Sequence, residues 1–559
     1  MKDQIQSVIS EVLADLGVEP VDFVVEHPGE LAHGDYASNV ALVAAKQVGK
    51  APRDLAAQLL VALEGKLPEV EKVEVAGPGF LNFYLRRDFF REKITTILEE
   101  GEQWGRNDTW KEKLVMIEYT SPNLFKPLHI GNLVGNIVGE SLSRLFELAG
   151  ANVKRFNYPS DIGMSVAKAV WGMQKTGGDP SDIQALGEAY RTGNAAFEEG
   201  GAEKDEIVAI NKALYAGSDE TLNTLREQGI ATSKRRLQEL LDVLDTSFDH
   251  ELPESLVSGP GQALVEEHTG AVFEQSDGAV VYKGEKIGLH TRVFLNSEGL
   301  PTYEAKDIGH FKLKHEAEPS WDASVIVTGI EQAEYFKVIF AAIKEVFPDL
   351  SERQLEHVAT GFLTLTTGKM SSRKGNVLTG ESLLEEMQEA ARERASETRT
   401  DNLDELAEQV AVAALKYQIL KHNVGSNIVF DKEKALSFEG DSGPYLQYTH
   451  ARIISVLEKA AQAGVDASTQ LAPPQPYEIE KLLYRFPEVI EEALNERAPH
   501  NVTGFLTELA GAFNTFYAQE KIADATDKFA PYKAAVAGAV QQTLQNGLWA
   551  LGIKAPDKM

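Results

Sequence analysis

From about residue 113 the chain alternates short apolar runs with long amphipathic ones, and this alternation limits the fold more than any other feature. KLVMIEYTS (113–121) reads as a strand, and a proline-containing loop follows. IGNLVGNIVGESLSRLFELAGA (130–151) reads as a helix stopped at Gly150, and NVKRFNYPS (152–160) reads as the next strand. Further strands are expected at ASVIVTG (323–329) and around HVATGFLTL (357–365). Strands separated by helices pair mostly in parallel, with both faces of the sheet covered, so an α/β domain is expected over 111–400.

The flanks read differently. Residues 1–110 carry helical patterning at about 3–17 and 38–65. Two alternating strands follow, VEKVEVAG and GFLNFYL, turning at Pro78 and Gly79, which together make an α+β module. The polar stretch GEQWGRND (101–108) reads as a linker, and the acidic stretch at about 174–219 reads as connecting helices with a solvated face. From 401 to 559 the signals are nearly all helical, with a loop at LAPPQP (471–476). At roughly 100–200 residues per domain, 559 residues lead one to expect three or four domains, and the patterning divides the chain into three.

Composition narrows the function. Against 55 basic residues stand 85 acidic ones, a formal charge of −30, which excludes indiscriminate coating of nucleic acid but leaves room for a local basic patch. The absence of cysteine removes disulfides, thiolate zinc sites and cysteine nucleophiles, and fits a reducing cytoplasm. The N-terminal amphipathic helix lacks the apolar core of a signal peptide, and no run approaches the ~18–20 apolar residues of a membrane span. A cytoplasmic protein without a membrane partner is expected.

Two stretches carry chemistry. In the first, Glu118 to Asn132, a strand enters a loop and a helix opens near Gly131. This puts His129 and the first-turn N–H groups at the carboxyl edge of the sheet, where phosphate is favoured. Gly131 lets a nucleotide approach the backbone with no Cβ in the way. The bland reading is an ordinary turn with one surface histidine. The second stretch, Gly368 to Asn376, sets Lys369, Arg373 and Lys374 beside Ser371 and Ser372, with Met370 between. Such donors stabilise charge building on a leaving pyrophosphate; found alone, the stretch would read as a solvated basic turn.

Together and in this order, about 240 residues apart, the two stretches resemble the HIGH and KMSKS motifs of class I aminoacyl-tRNA synthetases. The surrounding residues resemble the arginyl-tRNA synthetase family in particular: TSPNLFKPLHIGN, GLPTYEAKDIGH (299–310), GDSGPYLQYTHARI (440–453), LGIKAPDKM (551–559), LAHGDYASNVA and GPGFLNFYL. Asn132 stands where the first motif has its second histidine, and Ser372 where the second has its second lysine, with Arg373 and Lys374 following.

The resemblance implies a Rossmann-like catalytic domain, an N-terminal module for the tRNA elbow and a helical anticodon-binding domain. It implies ATP as cosubstrate, with Mg²⁺ accompanying it, no dedicated metal site in the protein, and a monomer whose partners are arginine and tRNA(Arg). Transition-state contacts fall to His129, Lys369 and Lys374, with Arg373 and Asn132 assisting, and ATP contacts also to Gly131, Met370, Ser371 and Ser372. Glu118, Asn123, Tyr303, Asp307 and Gln332 would line the arginine site, where carboxylates meet a guanidinium edge bidentately. Asn82, Tyr445, Tyr448, Arg452 and Met559 would face tRNA; Tyr445, Tyr448 and Arg452 share one helical face at i, i+3 and i+7. The alternatives are another class I synthetase, a small-molecule nucleotidylyltransferase, and a synthetase-like RNA-binding protein without activation activity.

Overall fold

The computed structural model describes residues 1–366, 379–395 and 402–559. Near the N-terminus, the two alternating runs form β3 (Val70–Ala76) and β4 (Phe80–Leu85), joined by two strands too short to show a period, β1 (Val25–Glu26) and β2 (Tyr36–Ser38). They pair antiparallel in the order β1-β2-β4-β3. Leu81, Phe83 and Leu85 of β4 turn one way into the core, packed with buried side chains from the helices Lys2–Asp15, Val40–Val48 and Pro52–Leu63. The helical stretch expected at 38–65 is two helices. The first ends at Gly49 in the left-handed region, and Pro52 opens the second, where its missing N–H costs nothing.

Internal packing places Met1–Trp104 in one unit with Arg452–Pro487 and Glu508–Asn546. Within it, Arg87 Nη1 lies 2.9 Å from Glu480, which also accepts from the Tyr532 hydroxyl at 2.5 Å, and Tyr484 meets the rings of Phe89 and Phe90. The stretch expected to be a loose linker is fastened here. Trp104 is 4% exposed, and Asn546 Nδ2 donates to the carbonyls of Gly101 and Trp104 at 2.9 and 2.8 Å.

The second unit comprises Gly105–Ala451, Glu488–Thr507 and Gly547–Met559. It holds β5 (Leu114–Glu118), β6 (Asn152–Asn157) and β7 (His250–Glu251). A small antiparallel sheet follows, of β8 (Glu274–Ser276), β9 (Ala279–Tyr282) and β10 (Arg292–Leu295), and after it β11 (Ala323–Gly329) and β12 (Gln354–Thr360). The main sheet runs β12-β11-β5-β6-β7, parallel throughout. The run read as one strand at 357–365 breaks at Gly361, where a Cβ would stand 2.0 Å from the Ser426 carbonyl. Its second half, β13 (Leu363–Leu365), pairs in parallel with β14 (Ile428–Phe430).

The helix Ile130–Leu148 is buried along most of its length, as a helix crossing between β5 and β6 of a covered parallel sheet must be. Because β6 and β11 flank β5 on opposite sides, a crevice opens beyond the carboxyl ends of β5 and β11. Four helices between Met164 and Val243 form the acidic connecting segment, and the C-terminal region is helical as expected. No helix among the described residues is long and apolar enough to cross a membrane.

Candidate active site

The crevice beyond β5 and β11 is a cavity of about 760 Å³. Glu118 reaches it from the end of β5, and Asn123, His129, Gly131 and Asn132 from the loop and helix that follow. Tyr303 and Asp307 come from the helix Tyr303–Ala317, and Gln332 from the turn after β11. The expected arginine-site residues and the first-motif residues therefore share one cavity.

The loop after β5 is bent against its own preference. Thr120 and Ser121 have φ of 73° and 42°, a left-handed backbone that a β-branched threonine rarely adopts. Asn132 holds it there. Its Nδ2 donates to the carbonyls of Thr120 and Ser121 at 2.7 and 3.2 Å, while Asn136 Nδ2 donates to Thr120 Oγ1 at 3.0 Å. An amide donor at position 132 thus shapes the loop carrying the motif. His129 caps the helix, its Nδ1 accepting from the Gly131 N–H at 3.1 Å.

The deeper end of the cavity is acidic and aromatic. Asp307 Oδ2 accepts from the Tyr335 hydroxyl at 2.5 Å. Burial pushes the Asp307 carboxyl up to about 7; the tyrosine hydrogen bond opposes that rise and the charge of Glu118 adds to it. For Glu118, 5% exposed, burial pushes the same way, but Lys314 at 2.7 Å and His310 at 3.5 Å outweigh it and hold the carboxylate below its usual range. Burial takes His310 down to about 4, so the imidazole is neutral at pH 7. Tyr303 stands at the rim, 72% exposed. An anionic, tyrosine-lined end beside a backbone able to receive phosphates suits a planar cationic side chain held next to a nucleotide.

Lys314, His310, Tyr335 and Tyr158 are site residues that the motifs do not single out. One signal was available: Tyr303, Asp307, His310 and Lys314 stand at i, i+4, i+7 and i+11, one face of one helix. Lys369, Met370, Ser371, Ser372, Arg373 and Lys374 lie outside the described residues. None of the five residues expected to face tRNA lines the cavity. Asn82 is 7% exposed within β4, opposite Ala37 and Glu74. Tyr448 is 42% exposed and Tyr445 half-buried, both on the helix Gly443–Gln462. Arg452, on that helix, donates to Asn514 Oδ1 at 3.2 Å and lies over the Tyr517 ring. Met559 ends the chain, partly exposed.

Three family models match the chain. One described as tRNA synthetases class I (R), catalytic domain, covers 93–432; the DALR anticodon binding domain covers 446–559; the arginyl tRNA synthetase N terminal domain covers 2–85. An arginine–tRNA ligase 1 of Bacillus cereus is 32% identical over 547 residues, spanning 96% of this chain and 95% of that protein. The arginine–tRNA ligase of Clostridioides difficile is 30% identical over 569 residues, spanning 100% and 99%. Among solved structures, the Thermus thermophilus arginyl-tRNA synthetase aligns over the whole of both chains, with a TM-score of 0.82 and 26% identity.

Proposed function

Since the chain belongs to the arginyl-tRNA synthetase family of class I, we propose that its β5–β11 cavity is where arginine and ATP meet. The protein is an arginine–tRNA ligase. The arginine carboxylate attacks the α-phosphorus of ATP; the bond to the bridging oxygen breaks and pyrophosphate leaves. The terminal ribose hydroxyl of tRNA(Arg) then attacks the arginyl carbonyl, and AMP leaves. No covalent enzyme intermediate is required, so the protein contributes position and electrostatics.

In this reading Asp307 and Glu118 receive the guanidinium, with Tyr303 at the rim, while Asn123 and Gln332 meet the α-amino end. His129 and the Gly131 backbone meet the phosphates, with Asn132 fixing the loop. Lys369, Arg373 and Lys374 follow the charge onto pyrophosphate, and Met370, Ser371 and Ser372 complete the ATP contacts. Among the described residues no three His, Asp or Glu side chains group as a metal cage. Around His129 the cavity offers hydroxyls, amides and backbone, which suits Mg²⁺ carried on the triphosphate and its waters. The tRNA contacts at Asn82, Tyr445, Tyr448, Arg452 and Met559, the domain limits 1–110, 111–400 and 401–559, a monomeric state and a cytoplasmic location belong to the same proposal.

The observation that carries this reading is Asp307, hydrogen-bonded to Tyr335 in the cavity that His129 and Gly131 also line. Arginine-dependent ATP–pyrophosphate exchange, measured with and without tRNA, tests it. Exchange that requires arginine is expected, and Asp307→Ala is expected to weaken arginine use about a hundredfold or more while leaving the ATP KM near wild type. Exchange with a different amino acid, or with none under any condition, overturns it.

A further inference from the structure

An ammonium group of the protein itself already occupies one of the two carboxylates in the acidic end. Lys314 is 1% exposed, with Nζ 2.7 Å from Glu118 Oε2 and 3.3 Å from Ser324 Oγ. His310 Nδ1 is 3.5 Å from that same oxygen, and its ring is stacked on Tyr158 at 4.1 Å between centroids. The other oxygen, Oε1, has no hydrogen-bond partner among the described residues. Glu118 lines the cavity, and Oε1 is the oxygen left to accept from a ligand there.

The charge count matters as much. With Glu304 paired to Arg292 at 3.3 Å, Glu118 and Asp307 ionised and Lys314 protonated, the acidic end carries one net negative charge, which one guanidinium neutralises. Without Lys314 it carries two against a single substrate cation, and buried charge left over is costly. We propose that Lys314 is a positioning residue for arginine. It cancels the charge of Glu118 and turns that carboxylate so that only Oε1 faces substrate, leaving Asp307 as the acid whose charge the guanidinium neutralises. This rests on the reading of the cavity as the arginine site.

The groups around Glu118 that titrate or carry charge are Asp307, His310 and Lys314 on the helix Tyr303–Ala317, with Glu304 beside Asp307 and paired to Arg292 of β10, Tyr158 after β6, and Tyr335 on the helix Ala333–Val346. Lys314 is the cation that meets Glu118, since burial keeps His310 neutral and Arg292 is paired with Glu304. Losing it leaves two buried carboxylates without a counter-ion, so Asp307, whose carboxyl burial and Glu118 push up and Lys314 pushes down, holds its proton to higher pH.

The experiment measures pyrophosphate exchange with tRNA present, for wild type, Lys314→Met and the double variant Glu118→Gln/Lys314→Met, from pH 6 to 9. For Lys314→Met the arginine KM is expected to rise about tenfold or more, with the ATP KM within about twofold. Its profile of kcat/KM for arginine is expected to shift to higher pH. The double variant has no unpaired ion and keeps an amide oxygen where Oε1 was, so its arginine KM is expected to return to within about fivefold of wild type.

A double variant as poor as Lys314→Met overturns the proposal, because Glu118 would then be needed for its charge. Parallel losses for arginine and ATP with an unmoved pH profile also overturn it, by showing a purely structural lysine. Should Lys314→Met fail to fold, the double variant decides by the same KM criterion. Absence of arginine exchange in the wild type would instead reject the arginine reading itself.

Discussion

In the proposed arginine site recognition turns on Asp307, and its proton is the first thing a guanidinium must displace. Protonated, the carboxyl donates rather than accepts along one edge; ionised, it meets the substrate's N–H groups. Because its pKa is raised to about 7, the binding form is lost as pH falls below that value and is complete about one unit above it. The arginine KM is therefore expected to fall about tenfold between pH 6 and 8, while Asp307→Asn flattens that dependence and raises the KM throughout. Steady-state kinetics across the range checks both. The residues that make this site were unevenly legible. Glu118, Asn123, Tyr303, Asp307 and Gln332 came from the resemblance to a known family, and Gln332 lies outside every stretch that carried it. Lys314 lies outside those stretches and His310 closes one of them without being singled out, since a lysine and a histidine on a charged helix read as solvated until the fold buries them at 1% and 3%.

The element that sets the geometry is the strand–loop–helix from β5 to Leu148. Helix and strand approach closely at Gly139, where a Cβ would stand 2.3 Å from Cγ of the fully buried Tyr119. Gly139→Ala forces the two apart. A loss of about 1–3 kcal/mol of stability is expected, measured as a lower midpoint in chemical denaturation. Asn132→Ala acts on the loop instead, freeing the carbonyls of Thr120 and Ser121 and letting a strained backbone relax. Its kcat for exchange is expected to fall about tenfold or more with only a small change in midpoint, whereas a large stability loss with normal kcat would make Asn132 a stability residue. The strand and helix could be read from their periodicity. The left-handed turn between them could not, because neither Thr120 nor Ser121 is a residue that usually takes it. The two-residue β1 was hidden for another reason, being no longer than one period of alternation.

At the scale of the molecule, order along the chain and order in space part company. The parallel sheet was legible because alternation is local. The packing of residues 452–487 and 508–546 with Met1–Trp104 was not, because nothing in a local pattern marks partners hundreds of positions away. In the other unit, Lys416 is buried, with Nζ 2.6 Å from the carbonyls of both Leu244 and Gly552. Burial lowers its pKa from 10.5 to about 7. Above pH 7 the unfolded chain holds the proton that the folded one has released, so this lysine adds stability as pH rises towards 10. Denaturation at pH 7 and 9 is expected to show that gain in wild type and its loss in Lys416→Met. The fastening of Gly101 and Trp104 by Asn546 has a consequence for biogenesis. A ribosome adding roughly 5–20 residues per second releases the first hundred residues tens of seconds before the segment that completes their unit. Throughout that interval the nascent amino-terminal sheet lacks part of its covering, since Tyr484, which packs against Tyr36 of β2, has yet to be made.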